Sequence, residues 1–142
     1  MASVLKVDAM QGVTSAGDIT ITSEGGSATQ SLQQGLCKTW CNLNFTSTTP
    51  RDDINIASIT DNGDADMTLT YTNAMSNNNY STSGMSGEVS GSGNPDGIIM
   101  CARVSGYGNA FGTSFVRVRC INVSGVAIER AFGAVSIHGD LA

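Results

Sequence analysis

Residues 53–73, DINIASITDNGDADMTLTYTN, carry the strongest local signal for the fold. On each side of the centre, apolar and polar residues alternate, which is the pattern of a strand with one buried face. The central DNGD, residues 61–64, is a short polar turn whose Asn-Gly pair favours a tight connection between antiparallel strands. The segment therefore predicts a hairpin between strands at residues 53–60 and 66–73.

Similar short strands are predicted along the rest of the chain. The turn signals between them recur at a spacing typical of an antiparallel sandwich, whereas a parallel βαβ fold needs long helical crossovers. One segment, SATQSLQQG at residues 27–35, favours a helical turn with Ser27 as its N-cap and Gly35 at its end. The remaining predicted strands are residues 4–7, 18–22, 36–45, 80–85, 98–104, 114–121 and 133–138.

These elements predict an all-β protein, an antiparallel, jelly-roll-like β-sandwich with at most one short helical turn. A chain of 142 residues is long enough to bury a core of ordinary size. We expect residues 1–34 to hold the N-terminal strands and the helical turn, and to serve as a contact with other subunits or with a particle. Residues 35–142 are expected to form the β-sandwich module.

Composition and charge disfavour several classes of function. Charged residues make up 13% of the chain, the net charge is −5 and the pI is near 4.5, so no basic surface for nucleic acid is expected. No apolar run reaches the length of a membrane span or of the core of a secretory leader. We therefore expect a protein made in a cytoplasm, without nucleic acid as a partner and without insertion into a membrane.

The four cysteines allow two disulfides, a metal site or buried thiols. On one strand, Cys37 and Cys41 would share a face roughly 13 Å apart at about 3.3 Å per residue, which is too far for a bond. No CxxC pair is present and the single histidine, His138, is distant in the sequence, so zinc is not favoured. We expect reduced cysteines that pack in the core with the single tryptophan. The predicted core residues are Trp40, Cys37, Cys41, Cys101 and Cys120.

Two glycine-rich connections are too polar to belong to the core. They are SGEVSGSGNPD at residues 86–96 and SGYGNAFG at residues 105–112. Loops of this kind carry recognition groups on a rigid scaffold. Tyr107, Asn109 and Phe111 offer aromatic and amide groups for contact with a glycan or a protein. The alternative is that these loops only join strands or pack on a neighbouring subunit.

One predicted strand, residues 114–121, has an arginine-bearing face. Phe115, Arg117 and Arg119 alternate with residues that face the core, so these three share the outward face. Arginine and aromatic residues are enriched at protein interfaces. The three residues are therefore candidates for a subunit interface in which the arginines pair with Asp52 or Asp53 of a neighbour. The alternative is an ordinary solvated sheet face.

No combination of residues indicates catalysis or a cofactor. Ser136, His138 and Asp140 are spaced two apart, so on a strand they form a row instead of converging as a hydrolytic triad. The glycines of residues 106–112 precede no predicted helix that would bind a phosphate. The acidic turn at residues 61–66 has oxygen ligands for calcium but lacks the bidentate glutamate of an EF-hand, so a solvated turn is favoured. We expect no catalytic, cofactor or metal site and no enzymatic activity.

Residues 35–80 combine an aromatic strand, an Arg-Asp pair, an alternating strand, Thr-Asp-Asn-Gly and an aromatic-ended strand. This order resembles a β-module of tail-fibre and other virion proteins from phages of marine bacteria. Residues 116–118 and 135–140 are similar to the last two strands of that module, so the resemblance covers about two thirds of the chain. The matching residues within 35–80 are Lys38, Trp40, Asn42, Asn44, Arg51, Asp52, Ile59, Thr60, Asp61, Asn62, Gly63, Thr70, Tyr71, Ala74, Met75, Asn79 and Tyr80.

The resemblance implies a non-enzymatic protein of a phage particle, localised to the virion and in contact with other virion proteins of the capsid or tail. The sequence has neither the heptads nor the repeat of a fibre shaft, which favours a capsid decoration or a comparable small surface component. The alternative is a tail-fibre or tail-spike adhesin that binds a host surface glycan or receptor. A homo-oligomer is expected, with a trimer as the choice that the resemblance implies.

Overall fold

The structure, a computed structural model, describes residues 4–14, 19–87, 98–101 and 108–142, with only the backbone described at residues 98, 100 and 101. The chain divides into two compact units, Met1–Leu36 and Cys37–Ala142. The division falls close to the predicted boundary between residues 34 and 35. All residues of the predicted core, recognition surface and interface belong to the second unit.

The first unit contains a small hairpin followed by one helical turn. β1 (Thr20–Thr22) pairs antiparallel with β2 (Thr29–Ser31), and α1 spans Leu32–Gly35. The Ser31 side chain accepts a hydrogen bond from the Gln34 amide, so Ser31, and not Ser27, is the N-cap of the helix. The segment before Ser31 pairs as a strand instead, which shortens the predicted helical turn.

The N-terminal segment of this unit differs from its prediction. Residues 4–7 have no regular secondary structure, although their apolar composition predicts a strand. In the part of the chain that the structure describes, no strand pairs with them, so a ladder of hydrogen bonds does not form. The side chains of Val4, Leu5 and Val13 are exposed to 78%, 79% and 105%.

The second unit is a sandwich of two antiparallel sheets. Its strands are β3 (Thr39–Asn44), β4 (Ser47–Ile54), β5 (Ile56–Asp61), β6 (Asp66–Tyr71), β7 (Ser81–Gly87), β8 (Ile98–Cys101), β9 (Phe115–Ile121) and β10 (Phe132–His138). The front sheet has the strand order β4-β3-β10-β7, and the back sheet has the order β5-β6-β9-β8. The prediction of an all-β antiparallel sandwich with one short helical turn is confirmed. The first and last strands of the sandwich, β3 and β10, pair with each other in the middle of the front sheet.

Alternation along the strands fills the space between the sheets with apolar side chains. Leu43 of the front sheet and Val116 of the back sheet are both fully buried, while their sequence neighbours face outward. Ile99 of β8 packs against the front sheet where glycines leave room for it. A Cβ at Gly84 or Gly133 would lie only 3.0 or 2.9 Å from the Ile99 side chain. The absence of side chains at these two positions therefore lets the sheets approach each other.

The hairpin predicted around the turn at residues 61–64 is present between β5 and β6. Its register pairs Asp61 with Met67 on either side of the turn. Gly63 has a φ of 116°, which a residue with a side chain rarely adopts, and its amide donates to Asp61 Oδ1 at 2.9 Å. The predicted hairpin is confirmed because the turn residues supply both the backbone conformation and a local hydrogen bond.

The chain passes from the front sheet to the back sheet at Asn55, between β4 and β5. Asn55 has a φ of 65°, in the left-handed region that Asn tolerates better than most residues. Its Nδ2 donates to Thr39 Oγ1 and to the Asn73 carbonyl oxygen, each at 3.1 Å, and its Oδ1 accepts from the Asn73 amide at 2.7 Å. The single strand predicted at residues 53–60 is therefore wrong, because this corner divides it between two sheets.

The two edge strands of the front sheet differ in composition. β4 contains Pro50, Arg51 and Asp52, residues that are unfavourable in most strands and discourage the addition of a further strand at an edge. Residues 47–52 of β4 were not predicted as a strand. β7 has the sequence STSGMSG and contains neither proline nor a charged residue.

Candidate functional site

The outer face of the front sheet holds a groove of about 490 Å³. Its side chains come from two cross-strand rows on β3, β10 and β7, and we call this surface the outer groove. Small side chains on the central strand β10 form its floor, and the largest lining side chains are Trp40 on β3 and Met85 on β7. These two strands lie two strand spacings or roughly 10 Å apart. The rows are Trp40-Ser136-Ser83 and Asn42-Ala134-Met85.

The polar groups of the outer groove are uncharged. The hydroxyl oxygens of Ser83 and Ser136 lie 2.8 Å apart, and either can donate to the other. Asn42 Oδ1 is shielded from solvent and has no hydrogen-bond partner in the described part of the chain. Among the described residues that line the groove, none carries a charge, although the row of Asn42 continues onto β4 with Asp52. The groove therefore combines a hydroxyl pair and an unpaired amide oxygen with apolar walls.

Two residues predicted for the core, Trp40 and Cys37, lie elsewhere. Trp40 is half-buried on the outer face of β3, and Cys37 is exposed just before that strand begins. The alternation of β3 turns Cys41 and Leu43 inward, so Trp40 must point outward. The size of the tryptophan suggested a core position, but the register of the strand overrides that preference.

Cys41 and Cys120 are buried and free, as expected for core thiols. Burial raises the pKa of the Cys41 thiol to about 12, and the Asp53 carboxylate adds to the shift. Cys120 Sγ donates to Ser86 Oγ at 3.2 Å. The side chain of Cys101 lies outside the described residues. At neutral pH, Cys41 is therefore a protonated, small apolar side chain and not a nucleophile.

The predicted recognition loop is only partly described. Tyr107 lies outside the described residues, and Asn109 is exposed. Phe111 does not extend from a loop, because it forms a bridge with Val116 and its ring centre lies 5.4 Å from that of Tyr80. Phe111 therefore packs against the core, which explains its half-buried side chain and removes it from the exposed recognition surface.

The predicted subunit interface on β9 is largely occupied within the chain. Arg117 is buried, and its Nε and Nη2 donate to the two carboxylate oxygens of Asp66 at 2.6 and 2.7 Å. Both side chains lie on the outer face of the back sheet, and we call them the Arg117–Asp66 pair. A carboxylate of the same chain already binds the Nε–Nη2 edge of Arg117, so these contacts lend no support to the expected pairing with Asp52 or Asp53 of a neighbour, which stays a prediction.

The other two residues of that predicted interface are half-buried. The Phe115 ring covers Gly112 so closely that no Cβ would fit there. The Tyr80 hydroxyl lies 3.0 Å from the Gly112 carbonyl oxygen and 2.9 Å from that of Phe115. Arg119 lies four residues beyond Phe115 along β9 and is half-buried, and its Nε has no hydrogen-bond partner among the described residues. This strand therefore uses much of its outward face for contacts inside the chain.

The residues of the acidic turn make structural contacts, and the residues of the possible hydrolytic triad do not converge. Asp61 accepts from the turn amide described above, and Asp66 holds Arg117, so both carboxylates have a place in the fold. Ser136 belongs to the outer groove, whereas His138 is exposed at the end of β10. Ser136 and His138 therefore follow one strand as a row and do not converge on a common point.

Two kinds of feature are absent from the part of the chain that the structure describes. Among the described residues, no three His, Cys, Asp or Glu side chains come together in the way that metal ligands do. Within the same residues, no helix has the length and apolar character needed to cross a bilayer.

The outer groove was not predicted, although part of its signal is present in the sequence. Alternation at residues 36–45 already places Trp40 and Asn42 on the same face. The partners on β10 and β7 are distant in the sequence, and only the register of the sheet brings Ser136 and Ser83 beside Trp40.

Comparisons with protein-family models, with curated proteins and with solved structures found no match to this chain.

Proposed function

We propose that the protein is a non-enzymatic structural component of a phage particle, exposed on the virion as a capsid decoration or a comparable small surface protein. The observation that supports this proposal most directly concerns residues 35–80, which carry the resemblance to virion modules. Residues 39–71 of this region supply strands β3 to β6, two in each sheet of one sandwich. A segment that builds half of a compact scaffold suits a structural protein.

The motif residues of this segment act as structural contacts. Arg51 Nη1 donates to the Leu43 carbonyl oxygen at 2.8 Å, and its guanidinium carbon lies 5.6 Å from the centre of the Phe132 ring. Asn62 Nδ2 donates to Thr68 Oγ1 at 2.8 Å and so fixes the hairpin turn. These hydrogen bonds and the cation–π contact join strands and turns, which is the role expected of a motif that maintains a scaffold.

We propose that the protein assembles as a homo-oligomer, with a trimer as the expected state. The first unit supports this proposal because its apolar side chains at Val4, Leu5 and Met10 are more than half exposed. Exposed apolar surface of this kind is typical of protein contact sites. The N-terminal segment, and not the arginine-bearing strand, is therefore the better candidate for contact with other subunits or with the particle.

A second candidate function is adhesion to a host surface glycan. The outer groove favours it, because concave surfaces with apolar walls and a few placed polar groups are typical of small-ligand sites. The loop at residues 105–112 supports it less, since Phe111 is half-buried and packs against the core.

Quantitative mass spectrometry of purified phage particles tests the structural role. Copies in the hundreds indicate a capsid position, and copies in the tens or fewer indicate a tail position. Purified particles that lack the protein would contradict the proposal. Adsorption of particles from which the gene has been deleted tests the second candidate, because normal adsorption removes the adhesin function.

Light scattering of the isolated protein tests the oligomer. The expected mass is a multiple of 14.6 kDa, and three copies would indicate the trimer. A truncated chain that starts at residue 35 serves as the control for the N-terminal contact. If this truncated chain assembles to the same extent as the full chain, residues 1–34 do not form the contact.

A further inference from the structure

We propose that the outer groove binds a neutral sugar, either a single hexopyranose or a short chain of such rings. This inference deepens the second candidate function by naming the class of sugar that the groove binds, and it does not depend on the structural role, because it concerns only the chemistry of one sheet face. Three features support it together: a half-buried aromatic wall, an unpaired amide oxygen, and a volume of about 490 Å³. Such a volume lies within the range of about 300–1,000 Å³ that is typical of small-ligand pockets.

The walls of the groove suit the apolar face of a sugar ring. A pyranose presents a flat face of C–H groups, and the indole of Trp40 is a large flat surface that packing leaves partly open. Met85, on the opposite side, is 66% exposed and has a flexible side chain that adapts to the shape of a ligand. Between them, Ala134 and Ser136 are too short to fill the space. A ring-shaped ligand can therefore stack on Trp40 without displacing a protein side chain.

The polar groups of the groove suit hydroxyl groups. Asn42 Oδ1 lacks a hydrogen-bond partner, and an unpaired shielded acceptor is costly unless something donates to it. A sugar hydroxyl supplies such a donor once the side-chain amide of Asn42 turns its oxygen toward the groove. The mutual hydrogen bond of Ser83 and Ser136 uses one hydroxyl hydrogen, so the second hydrogen and the remaining lone pairs are left for a ligand. The groove thus offers both acceptors and a donor to a molecule that has both.

The position of the groove disfavours a peptide as its occupant. Within a sheet, backbone N–H and C=O groups point toward the neighbouring strands, so a ligand above the face meets side chains only. An extended peptide is recognised mainly through its backbone at a sheet edge. Side-chain amide and hydroxyl groups on a sheet face are better matched to a ligand whose polar groups are hydroxyls.

Charge further restricts the class of ligand. None of the described lining residues is charged, and the row of Asn42 continues with the carboxylate of Asp52. The whole chain carries a net charge of −5. A phosphate, a nucleotide or an acidic sugar would therefore meet no cation in the groove and would be repelled by the surrounding field. A neutral sugar meets neither penalty.

The single tryptophan provides a direct test, because Trp40 is the only indole in the chain. The full-length protein is titrated with methyl glycosides of neutral hexoses and, in parallel, with methyl glucuronide. We expect a saturable shift of the tryptophan emission with at least one neutral glycoside at up to about 10 mM, tenfold above a Kd of about 1 mM. Methyl glucuronide should produce no such shift. The absence of a saturable response to any neutral glycoside would overturn the proposal.

Two variants examine the groove by calorimetry, which does not need the indole. Trp40→Ala and Asn42→Leu should each weaken sugar binding by tenfold or more. Asn42→Leu should leave the thermal midpoint unchanged or raise it, because it removes an unpaired polar atom. Val123→Ser, at a position 75% exposed and outside the groove, is the matched control and should bind normally. Equal affinities in all four proteins would place the sugar elsewhere.

A second copy of the chain is the competing occupant. Light scattering decides this point: if Trp40→Ser reduces the oligomer to a monomer, and sugar shifts no emission in the original protein, the groove is a subunit contact and the proposal fails. The outcomes for the structural role remain separate. If the protein binds sugar but is absent from purified particles, the sugar site stands and the proposed virion function fails. If the protein is present in particles but binds no sugar, the virion function stands and the sugar site fails.

Discussion

The outer faces of the two sheets differ, although each belongs to a four-stranded antiparallel sheet. On the back sheet, the Arg117–Asp66 pair is buried and its polar atoms bond to each other. On the front sheet, short side chains on the central strand leave the outer groove open beside Trp40. The comparison shows that outward positions of one sandwich can be closed by long paired side chains or opened by short ones.

This difference separates stability from recognition. A buried ion pair that loses one partner leaves a charge without solvent or counter-ion, so the back face is sensitive to single substitutions. The front face is only half-buried, and its residues contribute less packing. We therefore expect substitutions on the back face to affect folding most, and substitutions on the front face to affect binding most.

The largest effect is expected from Arg117→Met. The substitution leaves the Asp66 carboxylate buried without its partner, which should lower the free energy of unfolding by about 3–5 kcal/mol. Urea unfolding followed by circular dichroism measures this change. A loss smaller than about 1 kcal/mol, the value of an exposed pair, would mean that solvent reaches Asp66 and that the back face is not closed.

The double variant Arg117→Met with Asp66→Leu sharpens the same test. Replacing both charges with apolar groups removes the unpaired carboxylate, so most of the lost stability should return. Sugar binding should be equal in the single variant, the double variant and the original protein whenever they are folded. Loss of sugar binding in a folded back-face variant would contradict the inference that the back face affects stability and the front face affects binding.

The second effect concerns the corner that joins the two sheets. Asn55→Ala places a β carbon at a φ of 65° and removes the hydrogen bonds to Thr39 and Asn73, so unfolding should become easier by about 2–3 kcal/mol. Asn55→Gly tolerates the backbone and loses only the side-chain bonds, and should cost less. Equal losses in the two variants would show that the left-handed backbone carries no strain. Urea unfolding of both variants under one set of conditions provides the measurement.

The third effect is expected from Trp40→Ala on the front face. Because the side chain is half-buried, the loss of stability should remain well below the roughly 3–5 kcal/mol of a fully buried tryptophan. Thermal unfolding, together with the calorimetric titration described above, measures the two consequences. A loss as large as that of Arg117→Met would contradict the assignment of Trp40 to a recognition face.

The smallest effect is a dependence of stability on alkaline pH. The pKa of Cys41 rises from 9.0 to about 12, mainly through burial and then through Asp53, so the folded state retains its proton where the unfolded state releases it. This contribution is fully present below pH 9.0 and is lost as the pH rises toward about 12, by at most about 1.4 kcal/mol per pH unit. Stability of the original protein and of Cys41→Ala is compared between pH 8 and 10. The decrease should be steeper in the original protein, and parallel decreases would refute the assignment.

The fold was predictable from the sequence where local signals agree. In β5 and β6, alternation and the turn around Gly63 specify the same hairpin, and the structure contains it. In β3, alternation places Trp40 on the face opposite to Cys41 and Leu43, but the expectation of a core position for Trp40 was wrong because Cys41 and Leu43 are the residues that face inward. Local pattern was sufficient in β5 and β6 because one face is buried and the turn fixes the register.

Other features depend on contacts that no local pattern contains. Asn55 divides a run that alternates well, because bonds to Thr39 and Asn73 hold its left-handed backbone. The role of Arg117 was missed since its partner, Asp66, is distant in the sequence and was expected in a solvated turn. The outer groove likewise requires the pairing of β10 with both β3 and β7. These features belong to the register of the sheets, which strand propensity does not specify.

The unequal edges of the front sheet have a consequence for crowding. Wherever many copies of a β-protein lie side by side, exposed strand edges invite open-ended fibrils. A fibril that grows through this sheet needs two receptive edges per copy, one to accept a strand and one to offer it. Pro50 and the neighbouring Arg51 and Asp52 discourage strand addition at β4, so one of the two receptive edges is lost. A strand that joins β7 therefore ends the sheet there, so dense packing of copies does not become aggregation along this direction.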